Sequence, residues 1–266
     1  MGNHSEIAGV MFIVLVNVIK LIGIVKKYMN RHVFPIAIEE TGVVEAYDIW
    51  ANNYDAQPGN LMLDLDRIIF NDLLMDVNIA GKRIADIGCG TGRHWADLLK
   101  NKPAALTGFD VSAGMLKKLK AKFPAADAKV IVDNRFSDLA DGGFDIILST
   151  LTVAHIENME EALTAWSRIL KIKGDIIITD FHPDALAAGG QRTFKHQNRP
   201  VAVKNFVHTI TAIKQILSIE KFTVIDEREI SVDEKVKQYY SAQNALHVYE
   251  KFKGSPIIYG LHFRRA

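Results

Sequence analysis

Apolar and polar positions along the chain switch between two periods. Runs of five to eight residues, apolar almost throughout, recur at Arg83–Ile87 (RIADI), Ala105–Asp110 (ALTGFD), Ala128–Asp133 (AKVIVD), Phe144–Thr150 (FDIILST) and Gly174–Phe181 (GDIIITDF). Continuous apolar runs of this length are the mark of strands buried on both faces. Between them the apolar residues return every three or four positions, as on one face of a helix. The segment GRHWADLLK carries Trp95, Leu98 and Leu99 on one side, and Ser112 is placed to N-cap AGMLKKLKAKF. In NMEEALTAWSRILKIKG, Met159, Leu163, Trp166, Ile169 and Leu170 form the stripe, Asn158 and Glu161 have capping-box spacing, and Gly174 is the expected stop. Ahead of the first strand, Leu63, Ile68, Ile69, Leu73 and Leu74 predict a helix. After the fifth come a polar loop at Ala187–Pro200, a helix over Val203–Ser218, a strand at Phe222–Ile230, a helix over Glu234–Phe252 and a strand at Ser255–Phe263. The strand–helix alternation predicts an α/β fold, doubly wound, with a mostly parallel seven-stranded sheet and helices on both faces.

The N-terminal stretch breaks this pattern. Ile7–Val25 is apolar except for Asn17 and Lys20 and has no preceding basic region, so a signal peptide is not expected. As a helix it would gather Asn17, Lys20 and Lys27 on one side and Met11, Val14, Leu15, Val18, Leu21, Ile22 and Val25 around the rest. Packing on the domain, or on a second subunit in a homodimer, is the preferred expectation, with peripheral membrane contact through residues 7–25 as the alternative. Glu6 stands where a myristoylation signal needs a hydroxyl residue. The expected division is an apolar helix at 1–30, a helical cover at 31–80 and a ligand-binding domain at 81–266. At 266 residues, 48% hydrophobic and 24% charged, disorder is excluded. The 32 Lys and Arg against 31 Asp and Glu leave no extended basic field for nucleic acid, which favours a small-molecule partner. Cys89 is the sole cysteine, in keeping with a reducing, cytoplasmic setting. It is read as a packing residue, and no His and carboxylate spacing predicts a metal.

The candidate chemistry begins where the first strand meets its helix, in RIADIGCGTGRHW. Gly88, Gly90 and Gly92 remove Cβ atoms where the chain turns and a ligand nears the backbone. No Gly-Lys-Ser/Thr follows, so the loop is not a Walker motif. Arg93 occupies the place of the third glycine of a dinucleotide fingerprint, and Asp86 would repel a pyrophosphate while attracting an amino group. A cationic ligand group is expected there.

Taken with LTGFDVSAGML, VIVDNRFSDL, FDIILSTLTVAHI and LKIKGDIIITDFHP, the loop ADIGCGTGRHW resembles the class I S-adenosylmethionine-dependent methyltransferases over roughly Tyr47 to Asp184. Within them it is similar to the small-molecule enzymes of the ubiquinone and menaquinone biosynthesis group. The resemblance implies a Rossmann-like sheet with an antiparallel final strand and S-adenosylmethionine as cofactor, leaving S-adenosylhomocysteine. It implies that Asp86, Gly88, Gly90 and Gly92 surround the methionine end and that Asp110 accepts both ribose hydroxyls. Val111 and Met115 would flank the adenine, Asp133 would accept its amino group, and Asn134 would offer its backbone N–H. Ser149 and Leu151 would border the methionine portion.

Three histidines are candidates for removing an acceptor proton: His155 after the fourth strand, His182 after the fifth, and His208, for which a satisfied core role is preferred. Tyr47, Trp50 and Tyr54 are candidate lid residues, Tyr54 foremost, and aromatic packing is the competing reading. Arg192 and Lys195 are read as a solvated basic face rather than an anion site. The leading expectation is methyl transfer to a small molecule. The alternatives are a non-catalytic S-adenosylmethionine-binding regulator, a protein or nucleic-acid methyltransferase, and, least favoured, an NAD-dependent oxidoreductase.

Overall fold

The computed structural model describes residues 39–56, 60–197 and 199–266. The apolar stretch 7–25, and with it the expected helix at 1–30, lies outside the described residues. Within Glu40–Ala266, a compact unit, the chain runs through β1 (Glu39–Thr41), α1 (Val43–Trp50), α2 (Leu61–Leu74), β2 (Arg83–Ile87), α3 (Trp95–Lys100), β3 (Ala105–Asp110), α4 (Ala113–Lys122), β4 (Asp127–Val130) and β5 (Phe144–Thr150). It continues through α5 (Met159–Ile169), β6 (Leu170–Phe181), α6 (Pro183–Ala187), β7 (Thr193–His196), β8 (Arg199–Val203), α7 (Ile210–Ile219), β9 (Phe222–Ser231), α8 (Lys237–Ala242), α9 (Leu246–Phe252) and β10 (Pro256–Arg265).

The main sheet has seven strands in the order β4-β3-β2-β5-β6-β10-β9. Pairings from β4 through β6 are parallel, and β10 runs antiparallel to both neighbours. Order reverses beside β2, because the chain steps outward to β3 and β4 and then returns to β5. That reversal opens a crevice above the carboxyl ends of β2, β3 and β5. The strands are apolar throughout because both faces are covered. Ile84, Ile146, Leu148 and Ile177 face one core with α2, α3 and α4, while Ala85, Ile87, Ile147, Ile176 and Ile178 face the other with α5 and α7.

Helix ends follow their expected chemistry. Ser112 accepts from Met115 N, and Asn158 accepts from Glu161 N. Several expectations are corrected. Helix α5 ends at Ile169, and Gly174 lies inside β6, where a Cβ would crowd Leu170 Cγ at 2.7 Å and Asp145 O at 2.9 Å. Burial on α2 selects Leu61, Met62, Leu65, Ile69, Phe70 and Leu73, and leaves Ile68 50% exposed. Leu99 points outward at 43% exposure. Strand β4 stops at Val130, three residues early. The expected loop 187–200 contains β7 and the start of β8, which join β1 in a separate three-stranded sheet. Strand β8 extends to Val203, so the following helix starts only at Ile210. The expected helix over Glu234–Phe252 is divided into a 3₁₀ turn, α8 and α9.

The small sheet carries the cover. Trp50 of α1 stacks on Phe194 of β7 with ring centroids 4.8 Å apart and planes 8° from parallel. Ala46, Ala51, Tyr54, Met115, Val201 and Val203 complete this third core. Asp48 on the exposed side of α1 accepts from Ser112 Oγ at 2.6 Å and Gly114 N at 2.8 Å, pinning α1 to the start of α4. Asp55 accepts from Thr91 Oγ1 at 2.7 Å, so the chain after α1 is tied to the glycine loop as well.

Candidate active site

A cleft partly open to solvent lies in the crevice. Its floor is Ile87, Gly88 and Gly90 after β2, its sides are Asp110, Val111, Met115, Ile131 and Asn134, and Thr150 to Thr152 with His155 close the β5 end. Val43, Val44, Tyr47 and Tyr54 cover it.

The loop is held by β3, whose Phe109 carbonyl accepts from Gly88 N at 2.7 Å and Cys89 N at 3.1 Å. Gly88 has φ +73°, and a Cβ there would overlap the Thr152 side chain. Gly92, at φ +72°, turns away from the cleft and packs on Trp95 and Leu119. It shapes the turn into α3 and does not line the cleft. Cys89 is buried with Sγ close behind Gly108, and burial, with the Asp86 and Asp110 charges, pushes its thiol well up. The thiol stays protonated and packs.

Asp110 ends β3 and is 8% exposed. One oxygen accepts from Gly90 N and the other from Ser112 N, both at 2.8 Å. Each oxygen keeps a lone pair for a ligand hydroxyl. Burial pushes this carboxyl up to about 6 against the lowering effect of its backbone donors. Asp86 accepts from Trp95 Nε1 at 2.7 Å through one oxygen, and burial raises it to about 7, with the indole opposing and Asp110 adding to the rise. It lies beneath the loop, outside the cleft lining. Ser149 is also buried outside the cleft lining, with no partner for its hydroxyl among the described residues.

Asp133 is not brought into the cleft. It is exposed and accepts from Arg135 N at 3.0 Å. Because β4 ends early, the side chains that reach inward are Ile131 and Asn134. Leu151 lines the cleft as expected, at φ +53°.

The histidines separate clearly. His155 Nδ1 donates to Lys204 O and Nε2 accepts from the Tyr47 hydroxyl, both at 2.9 Å. The carbonyl admits only the tautomer with its proton on Nδ1, so the Nε2 lone pair faces the cleft side. Burial and then Arg192 depress His155 to about 4, and burial carries the Tyr47 phenol well above its ordinary value. His182 lies outside the cleft lining. Its Nδ1 accepts from Asp184 N at 3.2 Å as the cap of α6, and its Nε2 pairs with Glu229 at 3.2 Å. His208 donates to Ile156 O at 2.7 Å, a satisfied structural contact.

Arg192 corrects the reading of a solvated basic face, while Lys195 is exposed as expected. The Arg192 side chain is 4% exposed. Its guanidinium carbon lies 5.4 Å from the Trp50 ring centroid, 5.8 Å from Tyr47 and 6.0 Å from Tyr54, and Nη2 donates to the Tyr54 hydroxyl at 2.9 Å. Asp48, Asp66 and Asp180 were also missed. Asp180 is the last residue but one of β6, close to the strand end that Asp110 occupies on β3, a signal that could have marked it.

A methyltransferase domain family matches residues 85–178. The chain carries a class I S-adenosylmethionine-dependent methyltransferase domain. It is similar to the tRNA U34 carboxymethyltransferase of Helicobacter pylori, 28% identical over 172 residues, covering 56% of this chain and 63% of that protein. It is also similar to the malonyl-[acyl-carrier protein] O-methyltransferase of Methylovorus sp., 25% identical over 179 residues, covering 64% of this chain and 60% of the relative. The chain thus spans about three-fifths of the length of such curated relatives. The magnesium protoporphyrin IX methyltransferase of Synechocystis, solved with bound S-adenosylmethionine, matches in fold with TM-score 0.56 and 16% identity, over 92% of this chain and 96% of the other. Among the described residues no helix is long and apolar enough to cross a membrane, and no cluster of His, Cys, Asp or Glu could hold a metal ion.

The residues of the cleft fit the cofactor that a domain of this kind uses. Gly88 and Gly90 leave the floor without side chains, and Asp110 offers two oxygens.

Proposed function

We propose that the protein transfers a methyl group from S-adenosylmethionine to a small-molecule acceptor lying beneath Tyr47 and Tyr54. The observation that carries this reading is Asp110, a buried carboxylate at the end of β3 with a backbone donor already on each oxygen, beside a glycine floor. Asp110 would accept the two ribose hydroxyls, Val111, Met115 and Ile131 would flank the base, and Asn134 would offer its backbone N–H. Asp86, raised by burial, would regain its charge beside the methionine ammonium. The sulfonium supplies an electrophilic methyl carbon. The residues of this chain hold the acceptor in line, exclude water and take its proton.

For a hydroxyl acceptor the proton goes to the Tyr47 phenol oxygen as the phenol passes its own proton to His155 Nε2. A weak base is enough, because the acceptor O–H turns strongly acidic as the new O–C bond forms. The aromatic cover and near-neutral chain support a small acceptor over a nucleic acid. The names of the two curated relatives cover a tRNA and a carrier-protein-bound acid, so both kinds of acceptor belong in the test.

Calorimetry with S-adenosylmethionine, S-adenosylhomocysteine and NAD tests the cofactor; NAD binding without either sulfur ligand would reject the reading. A screen for labelled methyl transfer to small acids, phenols and amines, with bulk tRNA as a further arm, tests the acceptor. Label entering tRNA alone would replace the small-molecule assignment, and label entering none would favour the non-catalytic binder.

A further inference from the structure

The wall behind Tyr54 contains donors with nothing to bind. Among the described residues, Arg192 Nη1 is buried without a hydrogen-bond partner, and so is Trp50 Nε1. The Tyr54 oxygen accepts from Arg192 Nη2, which leaves its own proton without an acceptor among the described residues. All three belong to one cluster: the Trp50 and Tyr54 rings are 5.0 Å apart, and the guanidinium lies about one ring-width from both. Tyr54 also lines the cleft, so it is the wall shared by the cluster and the methyl-transfer site.

No carboxylate pairs with Arg192 within ion-pair distance among the described residues. Asp180, the carboxylate that acts on it most strongly, spends its oxygens on Ala154 N and Phe181 N, each at 2.7 Å. A buried cation with an unmet donor is costly unless an anion arrives to complete it. Aromatic faces compensate only part of that cost.

We propose that the acceptor carries a carboxylate and that Arg192 Nη1, the Tyr54 hydroxyl and Trp50 Nε1 receive it. The inference rests on the methyl-transfer reading above and supplies its substrate class. One guanidinium between flat apolar walls suits a planar monoanion. A phosphate dianion would bring a second negative charge that nothing there balances, close to Asp180. Pairing would also relieve the Arg192 charge that depresses His155, so that acceptor binding and the basicity of Nε2 rise together.

The test is calorimetric titration of the full chain, saturated with S-adenosylhomocysteine, using phenylacetate, benzoate and hexanoate, their matched amides, and phenyl phosphate. At least one acid should bind one-to-one, more than about tenfold tighter than its amide, the size of a charge-assisted hydrogen bond. Arg192→Met should erase that preference with S-adenosylhomocysteine affinity unchanged, and Tyr54→Phe should reduce it. Equal binding of acid and amide, a preference that survives both substitutions, or tighter binding of phenyl phosphate overturns the proposal. If Arg192→Met does not fold, Tyr54→Phe decides. The acids are also titrated without S-adenosylhomocysteine. Failure of that ligand to bind would then defeat the methyl-transfer reading while the acid preference is still read.

Discussion

Asp110 and His155 carry opposite perturbations, and both follow from burial. A buried carboxylate is harder to ionise, so Asp110 sits at about 6; a buried imidazole is harder to protonate, so His155 sits at about 4. In the role proposed for it, only an ionised Asp110 could accept from both ribose hydroxyls. Affinity for S-adenosylhomocysteine should therefore hold above pH 6 and fall by roughly tenfold per pH unit below it. Any share of the binding that Asp86 carries, at about 7, would begin that fall one pH unit earlier. Asp110→Asn should weaken binding by about 2–3 kcal/mol and flatten that fall. Calorimetry between pH 5 and 8 measures both effects, and an affinity indifferent to the substitution would remove Asp110 from the ribose site. The histidines divide in the same residue-level way. His155→Ala should lower acceptor turnover by about a hundredfold or more, leaving S-adenosylhomocysteine affinity intact. His182→Ala should keep turnover and lose about 1 kcal/mol of stability with the α6 cap, read by urea unfolding. Equal turnover losses would contradict this division.

At the scale of elements, helix α2 crosses the sheet at a glycine. A Cβ on Gly260 of β10 would overlap Ile69 Cγ2 and stand 2.8 Å from Leu73 Cδ1, so β10 is bare where α2 lies on it. Gly260→Val should cost at least about 1–3 kcal/mol of stability. Denaturant midpoints check this, and a neutral result would mean that α2 shifts freely. Strands β2, β3 and β5 were legible in the sequence because strands covered on both faces must be apolar from end to end. The Ser112 and Asn158 caps were legible because capping is local. The extent of β4, the end of α5 and the strands β7 and β8 were not, since each depends on what packs against it. TFKH carries one buried residue, Phe194, and the sequence does not announce that Trp50 waits for it.

Across the whole molecule, Asp66 is the joint between α2, the segment after the glycine loop and the sheet. From α2 it accepts from Arg93 at 2.7 Å, His94 at 2.9 Å and the Thr179 hydroxyl of β6. Burial opposes its ionisation, but Arg93, His94 and Thr179 outweigh that and hold the carboxyl well below the usual range. Asp66→Ala would leave a buried guanidinium and imidazole without their acceptor, costing about 3–5 kcal/mol. Thermal and urea unfolding would show it, and a loss under about 1 kcal/mol would reject the joint.

The sequence by itself determined the doubly wound sheet, the glycine loop and Asp110 at its strand end, because strand periodicity and turn chemistry are written in neighbouring residues. Only the tertiary structure decided which polar groups meet. Arg192 read as a solvated cation because its neighbours Gln191, Thr193 and Lys195 are polar, yet it folds against three rings drawn from residues 47–54. Asp133 read as a ligand contact and ended in solvent, because three residues of strand were lost. Desolvation and hydrogen-bond partners depend on contacts distant in sequence, and those contacts separate a surface charge from a buried one.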